Sequence, residues 1–384
     1  MYTELVRDAL EEFSYNKELA GLDYSVNIGS RGLCFKLSGY NDKLPELLEH
    51  VLKETLDLEI KDDRFEIIKE RLIRGWANWE LKMPYLQTGY YLSWLNSDRS
   101  YLVSEYTAEL PKIAVESLRQ YKPQLLGQLY FELLVHGNMH KEDALRLTDM
   151  VESVLQSRPL PRTQWPIQRS LVLPPRANYL YKKTLNHPDN VNHCIDYWLY
   201  TGEKGDPLTR AHTLFLGQLM GEPAFDQLRT REQLGYVVFC GVWGFATTYG
   251  FRFLVQSEKD PLYLELKINT FIESFKQTLR DMGEKEFENH QRSLVVTQQD
   301  TEVVRKFNKF EMEVFYLRKI HAASPERAKL VVQLFAHGAI RPDVPNNTVE
   351  GGNPIIIEDV RTYNAGLVAS AGPKPARDVI GYED

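Results

Sequence analysis

Residues 222–241, EPAFDQLRTREQLGYVVFCG, decide how the rest of the chain is read. Pro223 suits a first helical turn, where its missing N–H costs nothing. Phe225, Leu228 and Glu232 follow at i, i+3 and i+7, and Arg229 lies four residues after Phe225 on the same face. Gly235 fits a left-handed helix terminator. From Tyr236 to Cys240 the pattern alternates at period two, the mark of a half-buried strand. The expectation is a short helix, a glycine stop and a strand, with an Arg and a Tyr beside one helix-to-strand junction.

Working outward, the same grammar occurs earlier in the chain. A helix over 2–20, with Leu5, Ala9 and Phe13 near one face, ends at Ala20-Gly21, and strands follow at 22–28 and 32–38. Pro45 opens a helix to about Leu56, another starts after Lys61-Asp62-Asp63 and runs through Arg74 toward Trp79, and 84–129 reads as mostly helical with breaks at Pro111 and Pro123. A short apolar strand is expected at 130–135 and a helix at 141–156. Five prolines (159, 161, 166, 174 and 175) mark a linker over 159–176. Beyond it come strands at 178–183 and 193–200. Pro207 then opens a helix with Leu208, Ala211, Phe215 and Leu219 on one face. After the opening stretch come a strand at 250–256, a helix at 261–282 and another from Lys285.

The two halves align as a weak internal repeat. Glu18 to Gly21 matches Glu232 to Gly235 at an offset of 214, Gly32 to Phe35 matches Gly250 to Phe253 at 218, and Asp63 to Glu66 matches Lys285 to Glu288 at 222. Two loop insertions account for the drift. The expected fold class is α+β, two homologous domains, each an antiparallel sheet with helices packed on one face. The first occupies 1–158, the second 177–341, and a Gly-, Pro- and Asn-rich tail over 342–384 is expected to be poorly ordered apart from a strand at 355–357.

Composition closes off several function classes. A chain of 384 residues, 43% hydrophobic and 26% charged, has the apolar content for ordinary cores, and its length favours two domains. A net charge of −7 gives no concentrated basic surface of the kind nucleic acid requires. No apolar run approaches a membrane span, and the amphipathic N-terminus lacks the features of a signal peptide. Cys34, Cys194 and Cys240 are odd in number and widely spaced, which argues against a disulfide framework or a structural zinc and for a reducing, cytoplasmic compartment.

The usual reacting centres are missing too. There is no G-x-S-x-G elbow, no phosphate-binding P-loop, and neither H-E-x-x-H nor H-x-x-E-H. His136 and His140 are separated by Gly137-Asn138, which breaks any helix that would align them; His187 and His193 near Cys194 match no metal pattern. Asn346-Asn347-Thr348 is a formal glycosylation acceptor without a secretory signal. Arg229 and Tyr236 remain. Such residues are common on surfaces, but at the repeat offset the first copy carries Tyr15 and Leu22 instead. A requirement of the scaffold would tend to appear in both copies. A guanidinium and a phenol are both donors, suited to holding a peptide carbonyl or stabilising negative charge that develops on it.

At RTREQLGYVVF (229–239) the chain resembles the insulin-degrading-enzyme branch of the M16 metallopeptidases, the inverzincins. Supporting matches are LAGLDY (19–24), LSGYNDK (37–43), DDRFEIIKE (62–70), HGN (136–138) and QSEKDP (256–261), and the resemblance runs from about Tyr2 to Gln299. It corresponds to the family's third and fourth domains. In that family four homologous domains form two halves that close around a peptide in an enclosed chamber. The zinc site lies in the first domain, which this chain does not contain, so the resemblance implies zinc in an N-terminal half and none bound here. It implies that Arg229 and Tyr236 reach substrate from the opposite half, with Phe225 lining a neighbouring side-chain pocket. The partners implied are a peptide substrate and a zinc-bearing N-terminal half in cis or in trans, with a homo-oligomer allowed. Three departures stand out: a first strand missing before Met1, a shortened segment after Val296 that removes a helix and the family's basic polyanion contact, and the divergent tail. The chain is thus expected to be a substrate-binding half, inactive alone. A non-catalytic peptide-binding or scaffolding subunit is the alternative, and a truncated chain without a stable fold is the third reading.

Overall fold

The computed structural model describes residues 1–18, 21–297, 301–306, 308–339 and 353–372. The expectations for Leu19-Ala20, for residues 298–300 in the shortened segment, and for 340–352 and 373–384 in the tail (the glycosylation acceptor included) lie outside the described residues. Two compact units form: Met1–Trp79 with Tyr101–Ile167, and Glu80–Ser100 with Gln168–Asp384. Among the described residues no helix is long and apolar enough to cross a membrane.

The first unit is built on helix α1 (Tyr2–Glu18), strands β1 (Asp23–Gly29) and β2 (Gly32–Ser38), and helices α2 (Leu44–Asp57) and α3 (Asp62–Trp79). β1 and β2 form an antiparallel hairpin from Asp23↔Ser38 to Gly29↔Gly32. Tyr2, Leu5, Val6 and Leu10 of α1 meet Val26, Leu47, Val51, Phe65 and Ile68 in one core. Ala9, expected on that face, is exposed, because the helix turns Val6 and Leu10 inward instead. Pro123 does not break a helix but sits inside Val115–Leu126. The strand expected at 130–135 does not form. Pairing stops at Gln128–Leu129, which lies parallel to Arg158–Pro159, and Leu134 is 94% exposed. An apolar run of that length marks a strand only where a neighbouring edge is available to pair with it.

The second unit has a six-stranded sheet. Its members are β3 (Asn178–Thr184), β4 (His193–Glu203), β5 (Val237–Gly244), β6 (Thr248–Ser257), β7 (Ala328–Phe335) and β8 (Ile355–Ile356), in the order β8-β3-β7-β4-β6-β5. The β7–β4, β4–β6 and β6–β5 pairs are antiparallel. β3 departs from the expected pattern by running parallel to both β7 and β8. Helices α5 (Pro207–Phe225), α6 (Pro261–Asp281), α7 (Glu284–Thr297) and α8 (Lys309–Lys319) enclose the main core, where Phe215, Phe271 and Phe275 meet Tyr197, Phe253 and Val255. Asp206 and Asp260 cap α5 and α6 by accepting backbone N–H groups, each followed by a proline at the first helical position, so both helices start where the sequence places them.

The opposite sheet face is covered as well, by α4 (Pro84–Leu95). Its Tyr91 ring lies 5.6 Å from Tyr181, and its Thr88 hydroxyl lies 3.8 Å from the Cys194 sulfur. Under this helix Arg252 pairs with the fully buried Asp196, Nε to Oδ1 at 2.7 Å, and stacks 4.2 Å from the Trp243 ring. The class is therefore α+β, with helices on both faces of the second sheet. Past the last described sheet strand, a short helix at Val360–Ala365 buries Tyr363, and Val368–Ala369 pairs with Leu171–Val172.

Candidate functional site

The opening stretch folds differently from its first reading, yet brings its three singled-out residues together. Pro223 does not begin a helix. It lies in the last turn of α5, which continues into a π-helical turn at Asp226–Arg231. A proline inside a helix removes one rung of the hydrogen-bond ladder. Just beyond it the ladder widens: Glu232 N–H donates to the Gln227 carbonyl at 2.9 Å, five residues back. Such widened turns are rare and recur at functional sites.

Ion pairs hold the turn. Arg231 reaches Asp226 across one widened turn at 2.8 Å, and Lys267 of α6 reaches Glu232 at 2.8 Å. Leu228 and Leu234 anchor it in the core. The residue with positive φ is Gln233 (49°), not Gly235. Gly235 is needed for a different reason: a Cβ there would lie 2.0 Å from the Gln256 carbonyl oxygen, where the chain passes against β6.

With the turn so fixed, the Arg229 guanidinium sits between two rings, 5.0 Å from Phe225 and 5.2 Å from Tyr236. Both distances are in cation–π range. Phe225 is 38% and Tyr236 86% exposed. Arg231 and Lys267 each face a carboxylate, whereas the Arg229 guanidinium makes no ion pair or hydrogen bond with a described residue. The Tyr236 hydroxyl is likewise unengaged among the described residues. The arrangement offers a planar, permanently charged donor fork and a phenolic donor to whatever approaches from solvent. A guanidinium stacked between rings is pre-oriented and loses little freedom on binding.

The supporting pairs Asp226–Arg231 and Lys267–Glu232 escaped the sequence reading. The first has spacing i, i+5, which ordinary helical periodicity does not bring together, and the second is remote in sequence. His140 stands at the start of the helix Lys141–Leu155, its backbone N–H donating to Asp143 at 2.9 Å. Among the described residues no group of three His, Cys, Asp or Glu side chains is placed to hold a metal ion.

Comparison with known proteins agrees with this architecture. Residues 1–109 match a family model described as the middle or third domain of peptidase M16, and 215–310 match one described as the C-terminal lobe domain 4 of PqqF-like PQQ synthase proteins. The chain is 37% identical over 300 residues to the A-factor-processing enzyme of Saccharomyces cerevisiae, covering 77% of this chain and 29% of that protein. It is 34% identical over 307 residues to the insulin-degrading enzyme of Homo sapiens, covering 78% and 30%. The fold superposes on the crystal structure of pitrilysin with a TM-score of 0.80 at 19% identity, over 97% of this chain and 42% of that one. The chain belongs to the M16 peptidase family, as the counterpart of the C-terminal half of its insulin-degrading-enzyme-like members. It spans 29% and 30% of the length of the two curated relatives named above.

Proposed function

We propose that this chain supplies the substrate-binding half of an M16 zinc metalloendopeptidase, acting on extended peptides within an enclosed chamber. The observation that supports it is the Arg229 guanidinium held between Phe225 and Tyr236, with neither Arg229 nor the Tyr236 hydroxyl committed to a described protein partner. Both are donors, so they complement a peptide carbonyl and respond most strongly as that oxygen gains negative charge. The exposed Phe225 ring forms one wall for a substrate side chain beside them. Zinc in this reading belongs to a separate N-terminal half, joined in cis or in trans. The three unpaired cysteines suit a reducing, cytoplasmic setting.

The test is to assay peptide cleavage by the chain alone, by a zinc-bearing N-terminal half alone, and by the mixture. Cleavage should rise only in the mixture. Arg229→Ala should lower the mixture's rate on the order of a hundredfold, and Tyr236→Phe, which keeps the ring and loses the donor, by about tenfold. A mixture no faster than the N-terminal half, or an Arg229→Ala mixture as fast as wild type, ends this reading. The same free donors would also hold a peptide without chemistry. Peptide binding that weakens in Arg229→Ala, with no hydrolysis in any mixture, would instead identify a non-catalytic peptide-binding or scaffolding subunit.

A further inference from the structure

We propose that a cavity in the second unit, at the start of the parallel strands β3 and β7, binds a phosphate-type anion. The cavity has a volume of about 320 Å³. Arg176, Asn178, Arg327 and Lys329 line it, with a wall of small residues over 322–325. Asn178 begins β3 and sits in register with Lys329 of β7, so the parallel pairing brings these side chains to one end of the sheet. Three cationic side chains thus line a single cavity, and no carboxylate does.

The charges around it offset only one of these three cations. Lys329 is buried and holds Glu265 at 2.6 Å, and Gln333 donates to the other Glu265 oxygen at 3.1 Å. Glu326 faces away toward Arg318 and Lys319, at 3.4 and 3.6 Å. Glu273 faces His321 at 2.7 Å. Arg327 is buried and donates to the Tyr197 hydroxyl and to Asn269. Arg176 is exposed at the rim, makes no ion pair with a described residue, and follows Pro174-Pro175 with φ of 65°. Glu326 is thus turned toward cations outside the cavity, whereas the Lys329 charge is shared with Glu265, so the positive charge that faces the cavity without a carboxylate is that of Arg176 and Arg327. Positive charge in a concave, partly desolvated site raises the local potential well above that of an open surface.

The ligand chemistry follows from the donors. Two guanidinium forks, with the Asn178 amide and the Lys329 ammonium that Glu265 already shares, present donors from several directions, which suits the three or more tetrahedral acceptor oxygens of a phosphate better than the two coplanar ones of a carboxylate. The volume admits a phosphoryl group together with a small organic substituent, which places it at the lower end of ligand-pocket sizes. Inorganic phosphate and a small phosphomonoester share this chemistry.

Calorimetric titration of the full chain tests it, using inorganic phosphate, glycerol phosphate, acetate, and sodium chloride at matched ionic strength. Saturable binding of phosphate or glycerol phosphate is expected, with the tighter of the two identifying whether the organic group is also read. Arg176→Gln, at an exposed position, should weaken it about tenfold with an unchanged melting temperature. Arg327→Gln should abolish it; if that variant fails to fold, Arg176→Gln decides alone. Heats from chloride or acetate equal to those from phosphate would overturn the proposal, as would an Arg176→Gln titration indistinguishable from wild type.

Discussion

The two units share a run of elements, α1-β1-β2-α2-α3 in the first and α5-β5-β6-α6-α7 in the second, and differ in what surrounds it. Positions that align along the sequence make the difference visible. Gly32 and Gly250 both stand on the second strand of a hairpin. A Cβ at Gly32 would meet nothing within 4 Å, whereas one at Gly250 would lie 2.3 Å from the Trp198 indole nitrogen of β4. Cys34 is exposed on β2, whereas Arg252, its counterpart on β6, is buried against Asp196 beneath α4. Leu22 is buried, whereas Tyr236 is 86% exposed. The first two contrasts follow from layering: β6, the second strand of its hairpin, lies inside a wider sheet covered on both faces and is buried almost throughout, whereas β2 alternates. The third runs the other way. The more deeply packed copy carries the more exposed residue, and packing gives no reason for it.

The largest effect that would break this comparison is at Arg252. Arg252→Ala leaves Asp196 buried without its cation and should cost about 3–5 kcal/mol, while Cys34→Ala should stay within about 0.5 kcal/mol. Burial already pushes the Asp196 carboxyl above its ordinary range, against the opposing pull of Arg252. A carboxyl raised in the folded state favours folding at low pH, and that contribution fades as pH rises through the raised value. The Arg252→Ala penalty should therefore be greatest at neutral pH and shrink on acidification. Urea unfolding with hydrogen exchange resolved by unit measures both; a penalty that does not change with pH would contradict the assignment to Asp196.

Next is the pair Leu22 and Tyr236. Leu22→Ala opens a cavity in the first core and should cost about 2–5 kcal/mol, whereas Tyr236→Ala loses an exposed ring and one surface cation–π contact, below about 1 kcal/mol. A Tyr236→Ala loss as large as that of Leu22→Ala would make Tyr236 a structural residue. Smaller again is the contrast between the aligned glycines Gly21 and Gly235. Gly235→Ala forces a methyl into the Gln256 carbonyl and should cost about 2–3 kcal/mol. Gly21→Ala faces mainly its own φ of 74°, at about 1 kcal/mol. Equal losses would mean that the backbone at Gly235 yields easily.

Much of this was legible because local chemistry wrote it. Asp206-Pro207 and Asp260-Pro261 announce two helix starts, β2 alternates because one face is solvated, and Phe225, Arg229 and Tyr236 are close enough in sequence to be grouped at once. The misreadings share a cause in non-local packing. Pro223 reads as a helix start unless α5 is known to reach it. Gly235 is demanded by a carbonyl twenty-one residues away in sequence, at Gln256, and not by its own φ. Nothing in the strands of Arg252 and Asp196 says that α4 covers them, so their buried pairing has no local signal. The apolar run at 130–135 has the composition of a strand, and composition does not supply a neighbour to pair with.

The smallest expected effect concerns protons and also belongs to the second unit. His193 is partly buried at the start of β4, where its Nδ1 accepts the Ala336 N–H at 3.3 Å and its ring meets Phe335 edge-on. Burial holds its pKa below the ordinary imidazole value, against the attraction of Asp260, which works to raise it. A histidine depressed in the folded state contributes its full stability above the ordinary value near 6.5, and loses it as pH falls through the depressed one, when Nδ1 must take a proton and give up its acceptor role. His212, stacked on Phe315, is depressed for the same leading reason and adds to the trend. His193→Gln keeps an acceptor and removes the titration, so the stability difference between neutral and mildly acidic solution should narrow, with the change confined to amides of the second unit. If the variant keeps the whole wild-type difference, the proton goes elsewhere and the acid sensitivity of this unit does not depend on the His193–Ala336 contact.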